Sequence, residues 1–155
     1  MSYSGLQYNE TTGIDAVTGG VVDIPSALDR TIKRRLIAGA AIAAGDVVAF
    51  DVTATGSASV LTVTQAAAVA TGNPLACGVA LEAAAAAGDE ISVAVQGYVA
   101  SVNCDAGVTA GQPLAAPRNV AGQVMVGLAT DLSPWFGVAL KNEAGGVVEA
   151  YLYRK

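Results

Sequence analysis

Few side chains in this sequence are of the types that carry out chemistry. Histidine, the commonest general base and metal ligand, does not occur among the 155 residues. The only adjacent carboxylates, Asp89-Glu90, follow Gly88, where an acidic side chain commonly caps a solvated turn. Cys77 and Cys104 are too far apart for a CxxC motif, so we expect two buried thiols, with one disulfide as the alternative. The sequence therefore predicts no catalytic residue, no metal site and no cofactor.

The strongest charge feature is a basic cluster formed by Arg30, Lys33, Arg34 and Arg35. These side chains either form a solvated face or dock on an acidic patch of a partner, for which the planar arginine fork is well suited. The net charge of the chain is −5, and residues 38–155 hold nine acids and four bases. Nucleic acids and anionic membrane surfaces select clustered positive charge, so we expect neither as a partner.

The only pair of adjacent aromatic residues is Trp135-Phe136, which follows a Ser-Pro dipeptide. We interpret this pair as a packing element of the core, with an interface contact as the alternative, since tryptophan is enriched at interfaces. Hydrophobic residues make up 53% of the chain and are mostly alanine and valine. Each small side chain removes little surface from water, at roughly 25 cal/mol per Å². We therefore expect part of the apolar surface to be buried against another chain.

Residues 1–25 have the features of an extended N-terminal arm. Their apolar residues follow no clear period, and four glycines in this stretch disfavour a helix. The first 20 residues are polar and lack the apolar run of a secretory signal, so we expect synthesis in a reducing cytoplasm. A disordered tail is the alternative interpretation. The candidate anchors of this arm on a partner surface are Tyr3, Leu6, Tyr8 and Ile14.

The elements that would position these residues come in two similar copies. Residues 41–48 read AIAAGDVV and residues 107–114 read GVTAGQPL. Each copy is followed by the phrase GVAL, at 78–81 and at 137–140, and then by a small-residue turn and a strand-like run. We predict an internal repeat over about 38–102 and 104–153.

Valine-rich runs bounded by Gly, Asn and Pro dominate the chain from residue 37 onward, which indicates strands. Residues 26–37 fit either a short helix or a strand, and the repeat favours the strand. The run 83–87 is alanine-rich but too short for a stable helix, and we interpret it as a turn. The uncharged stretch 52–81 is interrupted by Gln, Asn and Pro and does not fit a bilayer-spanning helix. The predicted strands are 47–52, 60–64, 75–81, 91–95, 98–102, 112–116, 124–129, 135–140 and 147–153. Between 91–95 and 98–102 we expect a bulge or tight bend at Gly97.

At these repeated phrases the chain resembles the capsid decoration, or cement, proteins of tailed phages, a β-tulip or β-clip-like family. The resemblance lies in residues 38–48, 78–82 and 88–89, and in the second round from 106–111. It implies an all-β protein with a compact, small barrel or tulip-like body at 26–155, built from two similar β units, and an N-terminal arm. It also implies a homotrimer on the outside of the phage head, where the arm reaches the coat protein.

We therefore expect a structural virion protein, made in the host cytoplasm, that binds the capsid exterior and bridges neighbouring subunits of the major capsid protein. The alternative is a carbohydrate- or peptide-binding β module on a virion or cell surface, which would need aromatic and polar groups that converge in a groove. A small enzyme without histidine is the third hypothesis. The candidate capsid contacts are Tyr3, Leu6, Tyr8, Ile14, Arg30, Lys33, Arg34 and Arg35, with Trp135 and Phe136 as interface or core aromatics.

Overall fold

A computed structural model describes residues 31–128 and 136–153. Within these ranges the protein is all-β, with no α-helix, and no helix there is long and apolar enough to cross a bilayer. The strands are β1 (Ile32–Ala38), β2 (Val47–Phe50), β3 (Thr62–Gln65), β4 (Ala76–Ala80), β5 (Glu90–Asn103), β6 (Pro113–Ala115), β7 (Met125–Val126), β8 (Gly137–Ala139) and β9 (Val147–Leu152).

Five strands close into a barrel, which we call the first ring. Its order is β1-β3-β2-β4-β5, and an antiparallel pairing of β5 with β1 closes it. Alternation brings Leu36 and Ala38 of β1 inward, where they meet Val48, Ile91 and residues of the other strands. The strand interpretation of the segment before residue 37 is therefore confirmed from Ile32 onward.

The remaining strands form a second ring that shares β5 with the first. Its order is β5-β9-β8-β6-β7. A parallel bridge joins Cys104, directly after β5, to Val124, directly before β7. The second core contains Val102, Leu114 and Val148, and the outward side chains of β2 and β4 pack into it. The outer face of the first ring thus becomes part of the core of the second.

The shared strand differs from the sequence prediction. We predicted strands at 91–95 and 98–102 with a bulge or tight bend at Gly97, whereas β5 continues through Gly97 as one strand of 14 residues. Gly97 has φ +100°, a conformation that side chains with a Cβ rarely adopt. Residues before it pair with β1 and β4, and residues after it pair with β9. The glycine therefore allows one strand to turn from one ring into the other.

Local differences from the expected strands have simple causes. Residues 56–60 form a 3₁₀ turn, so the predicted strand at residue 60 begins at Thr62. The alanine-rich run 83–87 is a turn, as predicted, because Asp89 Oδ2 accepts hydrogen bonds from the backbone N–H groups of Ala85 and Ala86 at 2.9 and 3.0 Å. These two N–H groups thus bond to a side chain, and not to the backbone carbonyl groups that would accept them in a helix.

Candidate functional site

The basic cluster is carried by β1. Arg35 is engaged on the surface: Nη2 lies 3.4 Å from Glu90 Oε2, and Nη1 lies 3.9 Å from Glu82 Oε1 and donates to Ser92 Oγ at 3.4 Å. Lys33 and Arg34 are exposed and form no ion pair within the described residues. Two positive charges without ion-pair partners thus remain beside each other on a chain whose net charge is negative.

One edge of β1 is open beside these charges. On one side, residues Ile32–Ile37 pair with β5, but on the other side β3 pairs with Ile37 and Ala38 alone. The N–H of Ile37 donates toward β3, to Leu61 O at 2.8 Å. Because backbone groups alternate along a strand, Lys33 and Arg35 direct their N–H and C=O groups to the same side as Ile37. No described strand pairs with them there, so we call this stretch the open edge of β1.

A cleft of about 630 Å³ lies at the end of the first ring where β1 and β4 begin and β2 ends. Its described walls are mostly apolar, and Arg34 is the one charged residue among them. Ile32, Leu75 and Tyr153 line the cleft and remain 48%, 40% and 46% exposed. Tyr153 belongs to the second ring and is held in place by a hydrogen bond from its N–H to Phe136 O at 3.1 Å.

A buried carboxylate joins the two rings away from the cleft. Asp46 is 4% exposed and accepts hydrogen bonds from Gln65 Nε2 at 2.7 Å, Asn103 Nδ2 at 2.8 Å and the N–H of Ala43 at 3.2 Å. Gln65 ends β3 in the first ring, and Asn103 ends β5 in the second. The bond from Ala43 caps the local turn, whereas both side-chain donors are far from Asp46 in sequence and no sequence pattern indicated them.

The described residues offer little else for chemistry. They contain no group of three or more side chains that could hold a metal ion, and no buried side-chain N or O atom among them lacks a hydrogen-bond partner. Cys77 and Cys104 are not joined by a disulfide, and Cys104 is buried as expected, whereas Cys77 is only partly buried. Burial, with smaller contributions from Glu143 and Asp105, raises the pKa of the Cys104 thiol to about 11. Such a thiol is protonated at neutral pH and a poor nucleophile.

The predicted contact residues divide into two groups. Lys33, Arg34 and Arg35 lie together on β1, and Phe136 is 4% exposed in the core that both rings share. Phe136 also forms part of the cleft wall. The other candidates lie outside the described residues; they are Tyr3, Leu6, Tyr8, Ile14, Arg30 and Trp135.

The family model of the phage cement proteins matches residues 8–95, which is more than half of the chain. The chain belongs to the phage cement protein family. Within the described residues the match covers the first ring up to Val95, including the basic strand β1 and most of the cleft. A comparison with curated protein sequences finds no match.

Among solved structures, the head fiber gp8.5 N base of bacteriophage phi29 is similar to this cement-family chain. The TM-score is 0.55 at 16% sequence identity, and the match covers 81% of this chain and 96% of the phi29 chain. At this identity the likeness concerns the fold. Family membership and fold together identify a bacteriophage structural protein of the virion, and they point away from an enzyme.

Proposed function

We propose that this protein is a capsid decoration protein that binds the outer surface of the phage head and bridges neighbouring subunits of the major capsid protein. Membership of the cement family over residues 8–95 is the observation that carries this proposal. The described fold suits the task because two packed rings with filled interiors offer surface for contact and no reactive centre. The binding energy at each of many identical lattice sites would oppose the outward pressure of packaged DNA.

We also propose that the protein acts as a homotrimer on the capsid. Ile37, Val60 and Leu61 are 38%, 61% and 47% exposed, and β1 and the segment before β3 bring them near one another. An apolar patch of this kind is typical of an interface between subunits. A threefold arrangement would bury three such patches and would match the local threefold positions of a capsid lattice.

The arm, residues 1–25, is proposed to contact the coat through Tyr3, Leu6, Tyr8 and Ile14. Among the described residues, those that pack in the two cores begin at Leu36, and a chain without residues 1–25 keeps all of them. We expect the shortened chain to fold and to bind heads more weakly. Equal binding of the full and shortened chains would show that the arm does not contact the coat.

The decisive experiment mixes the purified full chain with expanded heads that lack it. We expect saturable co-sedimentation and rupture of the heads at a higher temperature than without the protein. Heads that neither bind the chain nor gain heat resistance would overturn the proposal. Charge reversal of Arg34 should slow association more than reversal of Arg35, because Arg35 is already engaged by Glu82 and Glu90. This difference should fade at high salt.

A further inference from the structure

We propose that the cleft and the open edge of β1 together form a docking site for an extended segment of the coat protein that carries bulky apolar side chains and a carboxylate. This inference rests on the proposed function and adds which surface meets the coat and by what chemistry. The occupant is a peptide segment because the site offers main-chain groups and side-chain pockets side by side.

The open edge supplies the main-chain part of the argument. An exposed strand edge pairs readily with another extended chain. The register of β1 against β5 shifts between Ile32 and Lys33, and on the other edge Lys33 and Arg35 have no described strand as a partner. Lys33 and Arg35 present their N–H and C=O groups there, and Ile32 and Arg34, which alternate with them, line the cleft. A peptide added along this edge would hydrogen-bond to β1 and direct alternate side chains into the cleft.

The cleft supplies the side-chain part. Ile32, Leu75 and Tyr153 leave roughly half of their surface exposed on its walls, so an apolar side chain that enters would bury them together. The volume of about 630 Å³ is within the range of ligand-binding clefts. The walls come from both rings, since Leu75 precedes β4 and Tyr153 follows β9.

The positive charges at the cleft favour a bound segment that carries a carboxylate. Arg34 is the one charged residue on a mostly apolar described wall, Lys33 is next to it, and neither forms an ion pair with the described residues. A guanidinium at the margin of an apolar surface binds a carboxylate through two parallel N–H···O hydrogen bonds. A neutral or basic peptide has no carboxylate side chain to accept them. The site should therefore discriminate against basic segments.

Cys77 provides a readout inside the cleft. Cys77 lines the cleft and is only partly buried, with its Sγ 3.5 Å from Val48 O. Cys104 is 2% exposed and its pKa is raised to about 11, so an alkylating reagent distinguishes the two. If the coat segment fills the cleft, bound heads should slow the alkylation of Cys77 by iodoacetamide by roughly tenfold or more, as expected for an interface that excludes solvent.

The test measures binding of the full chain and its variants to expanded heads lacking the protein. Leu75→Asp places a charge on the cleft wall that also repels a carboxylate, and it should weaken binding by roughly tenfold or more. Val120→Asp, at a 45% exposed position outside the described cleft lining, is the matched control and should bind like the wild type. Lys33→Pro removes an N–H from the open edge and should bind more weakly than Lys33→Ala, which removes the charge alone. Thermal melts of each variant establish that it is folded.

The outcomes separate the two proposals. If the wild type binds heads but Leu75→Asp binds equally well and Cys77 is alkylated at the same rate with and without heads, the docking site is wrong and capsid binding stands. If the wild type does not bind heads, both proposals fail. If Lys33→Pro and Lys33→Ala bind alike, strand addition along β1 is wrong.

Discussion

The two rings use the same main-chain hydrogen bonds with different side chains. Gly45 N donates to Ala80 O at 2.8 Å in the first ring, and Gly111 N donates to Ala139 O at 2.8 Å in the second. The glycine-bearing turn of each copy is capped in the same way by a side chain. In the first ring Asp46 accepts from the N–H of Ala43, and in the second Gln112 Oε1 accepts from the N–H of Thr109 at 2.8 Å.

The rings differ in what their equivalent side chains do. Asp46 is buried and joins the rings, whereas Gln112 caps its own turn at a partly exposed position. The inward residue at the end of β1 is Ala38, and its counterpart at the end of the second ring's first strand is Cys104. The family match also covers the first ring and ends at Val95. The two rings therefore share their main-chain geometry. They differ in the side chains that form the contact between the rings and the outer surface.

The largest expected effect tests the shared backbone geometry. A Cβ on Gly78 would lie 2.5 Å from Ala94 O, and a Cβ on Gly137 would lie 2.5 Å from Tyr151 O. We expect Gly78→Ala and Gly137→Ala each to lower the free energy of unfolding by about 3 kcal/mol or more, because a backbone oxygen on the neighbouring strand cannot move aside. Urea unfolding measures this.

Gly88→Ala is the matched control for those two changes. Gly88 has φ +95°, and a Cβ added there would meet nothing within 4 Å, so its substitution carries the cost of the backbone conformation alone, about 1–2 kcal/mol. If Gly78→Ala is severe and Gly137→Ala is mild, the two phrases are not equivalent in the way that their hydrogen bonds indicate.

The next effect concerns the junction. Asp46→Ala removes an acceptor of the side-chain amides of Gln65 and Asn103, although Asn103 keeps its longer bond to Ala44 O at 3.3 Å. We expect the free energy of unfolding to fall by about 3 kcal/mol, because buried hydrogen bonds to a charged group are the costly ones to break. Gln112→Ala removes one turn cap near the surface and should cost about 1 kcal/mol or less. Urea unfolding of the two variants compares them directly. Similar losses would mean that Asp46 acts as a turn cap and not as a link between rings.

The third effect is a pH dependence of stability that Cys104 should cause in the second ring. Its counterpart in the first ring, Ala38, does not titrate and cannot cause it. The raised thiol pKa means that the folded protein holds the proton more tightly than the unfolded chain does. Its stabilising contribution is fully present below pH 9.0 and is lost as the pH rises through about 11. A shift of this size corresponds to about 2–3 kcal/mol. In a Cys77→Ala background, the stability should fall across this range, and adding Cys104→Ala should remove that part of the fall.

The repeated phrases explain why much of the fold could be predicted from sequence. Alternating valines predict strands, and the glycine-bearing turns mark where they end, because both signals are local. The continuity of β5 could not be predicted, because a glycine within a strand and a glycine between strands look alike in sequence. The boundary at residue 60 was wrong because a 3₁₀ turn also accommodates the apolar side chain of Val60.

Of the candidate site, the basic cluster could be predicted from the sequence and the cleft could not. The basic residues Lys33, Arg34 and Arg35 are contiguous, so their charge was visible in the sequence. The cleft beside them combines Ile32, Leu75 and Tyr153, which only the closure of both rings brings together. The Asp46 junction has the same character, since its donors come from the ends of β3 and β5. Sites assembled from distant strand ends follow from topology, which no local pattern specifies.

The smallest expected effect compares the surfaces of the rings. In the second ring, the hydrogen bond from Lys141 Nζ to Glu149 Oε1 lowers the pKa of Glu149 and raises that of Lys141. In the first ring, the position equivalent to Lys141 is Glu82, which instead faces Arg35 at 3.9 Å. Both ion pairs lie at the surface, with Glu149 partly covered, and surface pairs contribute little to stability in water.

Glu149→Gln should therefore lower the urea midpoint only slightly at neutral pH. Because the folded pKa of Glu149 is depressed, its contribution is present above pH 4.5 and is lost as the pH falls through the folded pKa, where variant and wild type should converge. Raising the salt concentration should shrink the neutral-pH difference as well. Glu82→Gln should behave alike if the two surfaces are energetically equivalent. A loss at Glu149 that persists in high salt would instead indicate that the partly covered Glu149 carboxylate acts through packing, since screening would leave such a contribution unchanged.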